Sequence, residues 1–481
     1  MLFKGFLYGL ALLLVAVLRG RVRSGRFRQT VLLISSYVLY LSWGAWFALV
    51  LLASTGMNYA VGQSLRRKPS GRVLFIGIAL NLALLSTFKY LPEAALALPF
   101  SSLQRFSHVA LPLGISFWTF QGMSYLFDLY REEEIDPSFL EFALYMAFFP
   151  VAISGPICRL VDMLPQFRSE QAADWENVGR GMSRIATGIL MIQVGKLLGQ
   201  GIFAGDGINS GYDRVTSWSG PDVWCLAFGY GLQLFFDFAG YSHLAIGAAR
   251  VLGLVVPENF ATPFRSTTAS MFWTRWHMSL SFWIRDYVFI PLAVLRRETW
   301  WRNSILVLSM VIFGVWHKAT ILFVIWGCYH GALLFLHRQV QGLQRRLNWT
   351  PPAAIWTPLS WITTAVLISL GWIFFRSSSL GQAKQMLMAL LSPTSYATHY
   401  VTTSLYLMVI LLAASYLIVV AVAELMDRYS SEAGDSPALI CMAVRTRWYW
   451  VPPLYVLALF SVSVVIFTQG DSAAQFMYRG F

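Results

Sequence analysis

Twelve apolar runs, many of them about 20 residues long, follow one another along this chain at 3–18, 30–64, 72–90, 109–128, 141–157, 181–200, 222–246, 270–294, 303–336, 354–375, 403–425 and 448–468. A run of about 20 apolar residues is long enough to cross a bilayer as a helix. Repetition of such runs overrides the two or three soluble domains that length alone would allow. Composition agrees: 57% of residues are hydrophobic and 12% charged, where a soluble domain is about a quarter charged. The pattern predicts an all-α polytopic integral membrane protein. We expect roughly ten to thirteen membrane segments in a single membrane domain over 1–481, some of them re-entrant.

Two runs are too long for one span. Run 30–64 contains Trp43-Gly44, a turn that would return the chain to the side it left. Run 303–336 would make about 50 Å of straight helix, so it must tilt, break or divide. The first segment, Phe3 to Leu18, resembles a signal sequence but lacks a small-residue cleavage site before the basic stretch, so it reads as a retained span. The polar connectors are all short, no internal repeat is visible, and no glycine-rich phosphate loop is present. ATP hydrolysis is therefore excluded, and a transporter built from paired halves is disfavoured.

The formal net charge of +13 does not point to nucleic acid here. Basic residues cluster between apolar runs: Arg19, Arg21, Arg23, Arg26 and Arg28; Arg66, Arg67 and Lys68; Arg296, Arg297 and Arg302; Arg338, Arg345 and Arg346. Such clusters set topology by the positive-inside rule. Some of them also suit an anionic cytosolic substrate or anionic lipid head groups. Nineteen Trp and twenty-one Tyr fit a protein with many membrane–water boundaries. Cys158, Cys225, Cys328 and Cys441 are too scattered for a metal ribbon or a redox pair, and no metal site is expected.

Ionisable residues within apolar runs are functional candidates, because burying them is costly. Four of the seven histidines fall between 277 and 337. His317 follows Trp316 and precedes Lys318; His330 lies thirteen residues on, which on one straight helix means about 20 Å and nearly opposite faces. Unless the helix breaks, one of them is structural. Over 272–290, Trp276, Leu280, Trp283 and Tyr287 form an apolar stripe, and Thr274, His277, Ser281 and Arg285 a polar one. That spacing predicts an amphipathic helix, either lying at the interface or turning His277 into an internal cavity. Asp237, with Tyr241 one turn on, reads as a buried carboxylate paired with Arg275 or Arg285, or less simply as part of a proton relay. A histidine suits transfer of an acyl group from a thioester to a hydroxyl, because the hydroxyl proton must leave as the new bond forms. A buried imidazole stays uncharged and ready to accept it.

Several motifs together carry a resemblance: Leu234–Ser242, Pro257-Glu258-Asn259-Phe260, Phe272-Trp273-Thr274-Arg275-Trp276-His277 continuing through Arg285-Asp286-Tyr287, and Val315-Trp316-His317. Upstream, Leu111–Phe117 with Phe120-Gln121, and Ser154–Arg159, add to it. The chain resembles the membrane-bound O-acyltransferase (MBOAT) family, in particular its bacterial branches that acetylate alginate or transfer D-alanine to teichoic acid. The likeness runs over about 30–340 and is most specific at 230–332. It implies a ring of tilted helices around a central funnel, with a cytosolic donor and an extracytoplasmic acceptor meeting near its floor. It maps the catalytic histidine onto His317 and a second functional histidine onto His277.

The donor implied is an acyl thioester, acetyl-CoA in the acetylating branch, with no permanently bound cofactor. The partners implied are membrane lipids, a polysaccharide acceptor and an extracytoplasmic acyltransferase, in the bacterial cytoplasmic (inner) membrane. Arg275, Trp276, Ser281, Arg285, Asp286, Tyr287, Asp237, Tyr241, Trp316 and Lys318 are expected around donor or acceptor, Arg296, Arg297 and Arg302 at the phosphates of CoA, and His330 as a secondary candidate. Two departures stand out. The family has Trp-His-Gly where this chain has Trp316-His317-Lys318, and the acetylating branch has Pro-Leu-Gly-Gly-Asn-Arg where this chain has Pro291-Leu292-Ala293-Val294-Leu295-Arg296. Lys318 would tune the base, hold donor phosphates or snorkel. The expected activity is therefore O-acyl transfer, with D-alanyl transfer from a carrier-protein thioester, a transporter or flippase, and a catalytically dead scaffold as the competing readings.

Overall fold

The Trp43-Gly44 pair breaks the first overlong run into two helices. In the computed structural model, α1 (Gly25–Leu41) and α2 (Ala45–Arg67) are joined through Gly44, whose φ of 151° no side-chain-bearing residue adopts readily. The structure describes residues 24–97, 110–169, 175–201, 206–214, 217–349 and 351–432, with isolated positions 9, 12, 15, 16 and 107. The expected last span at 448–468, Cys441, Arg19, Arg21 and Arg23 lie outside the described residues, as does most of the expected first span at 3–18.

The helices then run α3 (Gly71–Lys89), α4 (Leu91–Ala97), α5 (Ile115–Tyr130), α6 (Phe139–Ala147), α7 (Leu160–Arg168), α8 (Trp175–Gln200), α9 (Ile208–Arg214) and α10 (Gly220–Val251). After a 3-10 turn at Pro263–Arg265 come α11 (Ala269–Trp273), α12 (Met278–Ile284), a π turn at Arg285–Phe289 and α13 (Ile290–Ala293). Last are α14 (Thr299–His317), α15 (Ile321–Arg346), α16 (Ala353–Arg376), α17 (Leu380–Leu391) and α18 (Thr403–Glu432). No strand occurs among the described residues, and the chain is all-α.

Five described helices are long and apolar enough to cross a membrane: α2, α3, α10, α15 and α16. This is fewer than the ten to thirteen segments read from the runs. Run 141–157 yields only the nine-residue α6, after which the backbone passes through Phe148, Val151 and Cys158, all buried, without helix. Run 270–294 breaks into three short helices and a π turn. Irregular backbone at membrane depth is tolerated where protein, not lipid, surrounds it. Gly114 shows how closely: its φ is 74°, and a Cβ there would sit 1.9 Å from the carbonyl oxygen of Ala152.

Two helix pairs frame the interior. Along α8, Gly181, Gly188 and Gly195 recur every seventh residue and meet α10 antiparallel, opposite Gly247, Gly240 and Asp237. A Cβ on Gly188 would lie 2.6 Å from the Gly240 carbonyl oxygen, so the two backbones touch. The overlong run 303–336 divides at Lys318–Thr320 into α14 and α15, a hairpin closed by Gly314, Gly327 and Gly331 against the facing backbone. The N-terminus of α10 is fixed by Asp222, which is fully buried and accepts hydrogen bonds from Ser219 Oγ, Tyr400 N, Val401 N and Tyr406 Oη.

Candidate active site

The split of run 303–336 puts His317 at the last position of α14, directly before the hairpin turn. Its ring stacks on Phe313, 5.4 Å away at 18°, lies 4.6 Å from the Trp316 ring, and meets the edge of Phe375 at 5.1 Å. The residue is partly exposed, while Trp316 beside it is buried.

His277 arrives by a different route. The amphipathic helix predicted over 272–290 does not form: His277 has φ 45°, left-handed, and separates α11 from α12. The apolar stripe survives the break, with Trp276, Leu280, Trp283 and Tyr287 all buried. The polar stripe does not. Thr274 and Arg285 are exposed, Ser281 caps the Trp276 carbonyl at 3.1 Å, and His277 is swung inward to 1% exposure. The left-handed residue is what separates His277 from the stripe it was grouped with.

Asn259 then orients that ring. Its Oδ1 accepts from the Ser279 backbone N–H at 3.3 Å and the Ser279 hydroxyl at 2.9 Å, which fixes the amide the right way round. The same oxygen lies 3.1 Å from His277 Nδ1, and Nδ2 donates to Ser242 Oγ at 3.0 Å. His277 Nδ1 is consequently the protonated nitrogen, and Nε2 of the neutral ring carries a lone pair. Among the described residues that Nε2 is buried without a hydrogen-bond partner. His277 packs edge-on to Phe238 at 4.6 Å and lies 6.3 Å from Trp316 and 6.4 Å from Phe313, the two rings that also hold His317. Two imidazoles from separate segments thus meet around one Phe–Trp pair.

A third group joins them. Lys89, the last residue of α3, is 8% exposed and places Nζ 4.7 Å from the Trp316 ring, while Tyr90 Oη donates to the Trp316 carbonyl oxygen at 3.1 Å. Sequence reasoning passed over Lys89 because it ends an apolar run, where a lysine ordinarily snorkels. Asn259 was visible only as part of a motif. Lys318 reaches Glu93 at 4.0 Å, a loose and largely solvated pair.

The other predicted residues scatter. Asp237 is not paired with Arg275 or Arg285, which corrects the expected ion pair. Its Oδ1 faces Gly195 of α8, the cation acting on it is Lys196, and its neighbour Phe238 is what meets His277. Tyr241 is partly exposed on the same helix. Arg285 pairs with the adjacent Asp286 at 2.7 Å, on the outside. Tyr287 donates to Asp128 Oδ1 at 2.7 Å and lies under the guanidinium groups of Arg159 and Arg131. Arg275 is partly exposed, and its carbonyl oxygen accepts from the Ala261 N–H. Arg296, Arg297 and Arg302 are exposed around the start of α14, the nearest of them, Arg302, about 22 Å of helix from His317. Trp276 stacks on Phe272, and His330, fully buried, is boxed by Trp273 and Trp326. The Trp326 ring, 5.9 Å from His317 and 4.7 Å from His330, links those two histidines.

An aromatic column connects the site to the Arg131 and Arg159 end: Tyr287 to Trp283 at 5.2 Å, Trp283 to Phe120 at 4.4 Å, Phe120 to Trp316 at 5.4 Å. Arg159 Nη1, at its outer end, is buried without a hydrogen-bond partner among the described residues. A separate apolar cavity of about 390 Å³ between α10, α16 and α18 is lined by residues including Phe264, Phe272, Trp361, Trp372 and Tyr416, and neither His277 nor His317 borders it.

Comparison with known proteins meets this geometry. The family model for MBOAT, the membrane-bound O-acyltransferase family, matches residues 79–379, which contain both histidines, Lys89 and Asn259. The chain is 33% identical to "Probable alginate O-acetylase AlgI" of Pseudomonas aeruginosa over 76% of this chain and 70% of that protein. It is 31% identical to the peptidoglycan O-acetyltransferase of Helicobacter pylori over 77% of this chain and 75% of that protein. With the teichoic acid D-alanyltransferase of Bacillus subtilis it shares 32% identity over 55% of this chain and 68% of that protein. The chain belongs to the membrane-bound O-acyltransferase family and is an integral membrane O-acyltransferase.

Proposed function

We propose that this enzyme moves an acetyl group from acetyl-CoA to a hydroxyl of an exported polysaccharide, directly or through an extracytoplasmic partner acyltransferase, with His317 as general base. The observation that carries the reading is the meeting of a partly exposed His317 with a buried, oriented His277 around Phe313 and Trp316. His317 takes the hydroxyl proton as the oxygen attacks the thioester carbonyl, and returns it to the departing thiolate. His277 offers its Nε2 lone pair to a donor hydrogen on either substrate and so fixes its position.

We place the protein in a bacterial cytoplasmic membrane, its residues 1–481 forming a single membrane domain, with the arginine clusters on the cytosolic side. The donor then enters beside Arg131 and Arg159, whose guanidinium groups suit a phosphate, and its pantetheine arm follows the aromatic column. That arm spans about 15 Å at the rise per bond of an extended chain, shorter than the helix separating Arg296, Arg297 and Arg302 from His317. Those three contact at most the nucleotide end of CoA. The polysaccharide acceptor and the preference for acetyl rest on the relatives named for O-acetylation, which align over more of this chain than the D-alanyltransferase does. The D-alanyl alternative would use a carrier-protein thioester.

The test is acyl-thioester consumption by purified protein with acetyl-CoA and, separately, with a D-alanyl carrier protein. Turnover with acetyl-CoA that disappears in a folded His317→Ala variant is the expected result. Undiminished turnover in that variant rules the residue out as base.

A further inference from the structure

Lys89 is buried, charged by type, and not used in the chemistry described so far. Its Nζ sits over the Trp316 ring at 4.7 Å and is 5.9 Å from the Tyr90 ring. Among the described residues no carboxylate lies within ion-pair distance of it: Glu93, the anion that acts on it, is instead in contact with Lys318. An ammonium so placed is costly unless something anionic offsets it. Lys89 and His317 lie against the same Trp316 ring, so whatever the ammonium offsets belongs to the reacting centre.

Topology narrows the choice. Both α3 and α14 begin beside arginines, Arg66, Arg67 and Arg72 for one, Arg296, Arg297 and Arg302 for the other, and end together at Lys89 and His317. Lys89 is thus far from the arginine-bearing ends where donor phosphates would dock. A solvated carboxylate on a glycan would more readily meet Lys318, whose side chain is 40% exposed, than a lysine 8% exposed. What remains is a charge that forms inside the site and vanishes again.

We propose that Lys89 is a catalytic residue that stabilises the oxyanion of the tetrahedral intermediate; this rests on the acyl-transfer reading above. The acceptor oxygen bonds to the thioester carbonyl carbon while its proton passes to the His317 imidazole, and the carbonyl π pair moves onto oxygen. Lys89 Nζ neutralises that oxygen without giving up a proton. The pair then reforms C=O, the C–S bond breaks, and the thiolate takes the proton from His317. A preplaced positive charge in a water-poor site acts most strongly on charge that develops during reaction. Trp316 holds the ammonium in place through its ring face while leaving it available.

The experiment compares wild type, Lys89→Met and Lys89→Arg as full-length protein in lipid nanodiscs, with acetyl-CoA and two acceptor oligosaccharides, one acidic and one with its carboxyls reduced. Expected for Lys89→Met is a kcat loss of about 10²–10³-fold on both acceptors alike. The KM for acetyl-CoA and the binding of a non-reactive thioether analogue should change by less than about threefold, and Lys89→Arg should recover part of kcat. A loss confined to the acidic acceptor and expressed in KM overturns the proposal in favour of acceptor recognition. Weakened analogue binding with a lowered melting temperature, unrelieved by arginine, overturns it in favour of a packing role. Wild-type turnover with kcat retained in Lys89→Met sinks Lys89 alone, whereas absence of thioester turnover in wild type sinks the acyl-transfer reading itself.

Discussion

The seam between α8 and α10 and the cluster around His277 and His317 are built on opposite terms. At the seam two regular helices touch backbone to backbone, and glycine every seventh residue is the whole device. At the cluster the chain is broken at 277 and again at 318, and large rings fill the space that the breaks create. Regular helices leave each backbone group satisfied within the element, so a seam can be specified by residue size alone. A site needs side chains aimed at one point from several directions. Helix ends and irregular turns supply directions that a continuous helix cannot.

The largest effect expected is on the cluster alone. His317→Ala should lower acyl-transfer kcat by about 10³-fold while leaving the melting temperature within a few degrees. A large thermal shift in that variant would mean that the two regions are not separable. Next comes the seam. Gly188→Val puts carbon against the Gly240 carbonyl oxygen, which cannot give way. About 3 kcal/mol of stability should be lost by overpacking, read as a lower melting temperature in nanodiscs, with kcat per folded molecule unchanged.

Asn259→Ala falls between them, because it strands the Nδ1–H of His277 and the two donors of Ser279. It should lose about 2 kcal/mol of stability and up to about 10²-fold in kcat through a misplaced imidazole. Activity loss without any stability loss would show that Asn259 contacts substrate instead. The smallest effect lies away from both regions, at the capping box of α6. Burial pushes the Glu141 carboxyl up, but hydrogen bonds from Arg168, with the Ser138 backbone and hydroxyl, outweigh it and hold it at about 2. The stabilisation is present above the ordinary carboxylate range and disappears as pH falls from there through about 2. With Arg168 half exposed it is worth about 1 kcal/mol. Acid melting curves of wild type and Glu141→Gln should converge only as pH falls to about 2.

The sequence made some of this legible, for reasons that differ by residue. The turn at Trp43-Gly44 and the division of run 303–336 followed from length, since neither run can be one span. Trp316-His317 and the 272–287 stretch were recognisable as motifs. The kink at His277 was not, because the apolar stripe keeps its helical spacing through the break and periodicity cannot register one left-handed residue. The pairing of Asp237 with an arginine failed because opposite charge in a sequence says nothing about which face of α10 the carboxylate takes; it faces the glycine of α8. Lys89 and Trp316 are 227 positions apart, and nothing local announces their contact. Run 270–294 does not form one straight span, since a run buried among other protein segments need not be straight.

The left-handed turn at His277 also bears on how this enzyme can be engineered. Design that rewards helical regularity would choose residues there and nearby that let α11 run on into α12, giving a protein that is harder to melt. Its imidazole, however, would be carried round to the outer surface with the rest of the polar stripe, and Asn259 would have nothing to hold. In this stretch, robustness gained by straightening the backbone is expected to be robustness of an inert molecule.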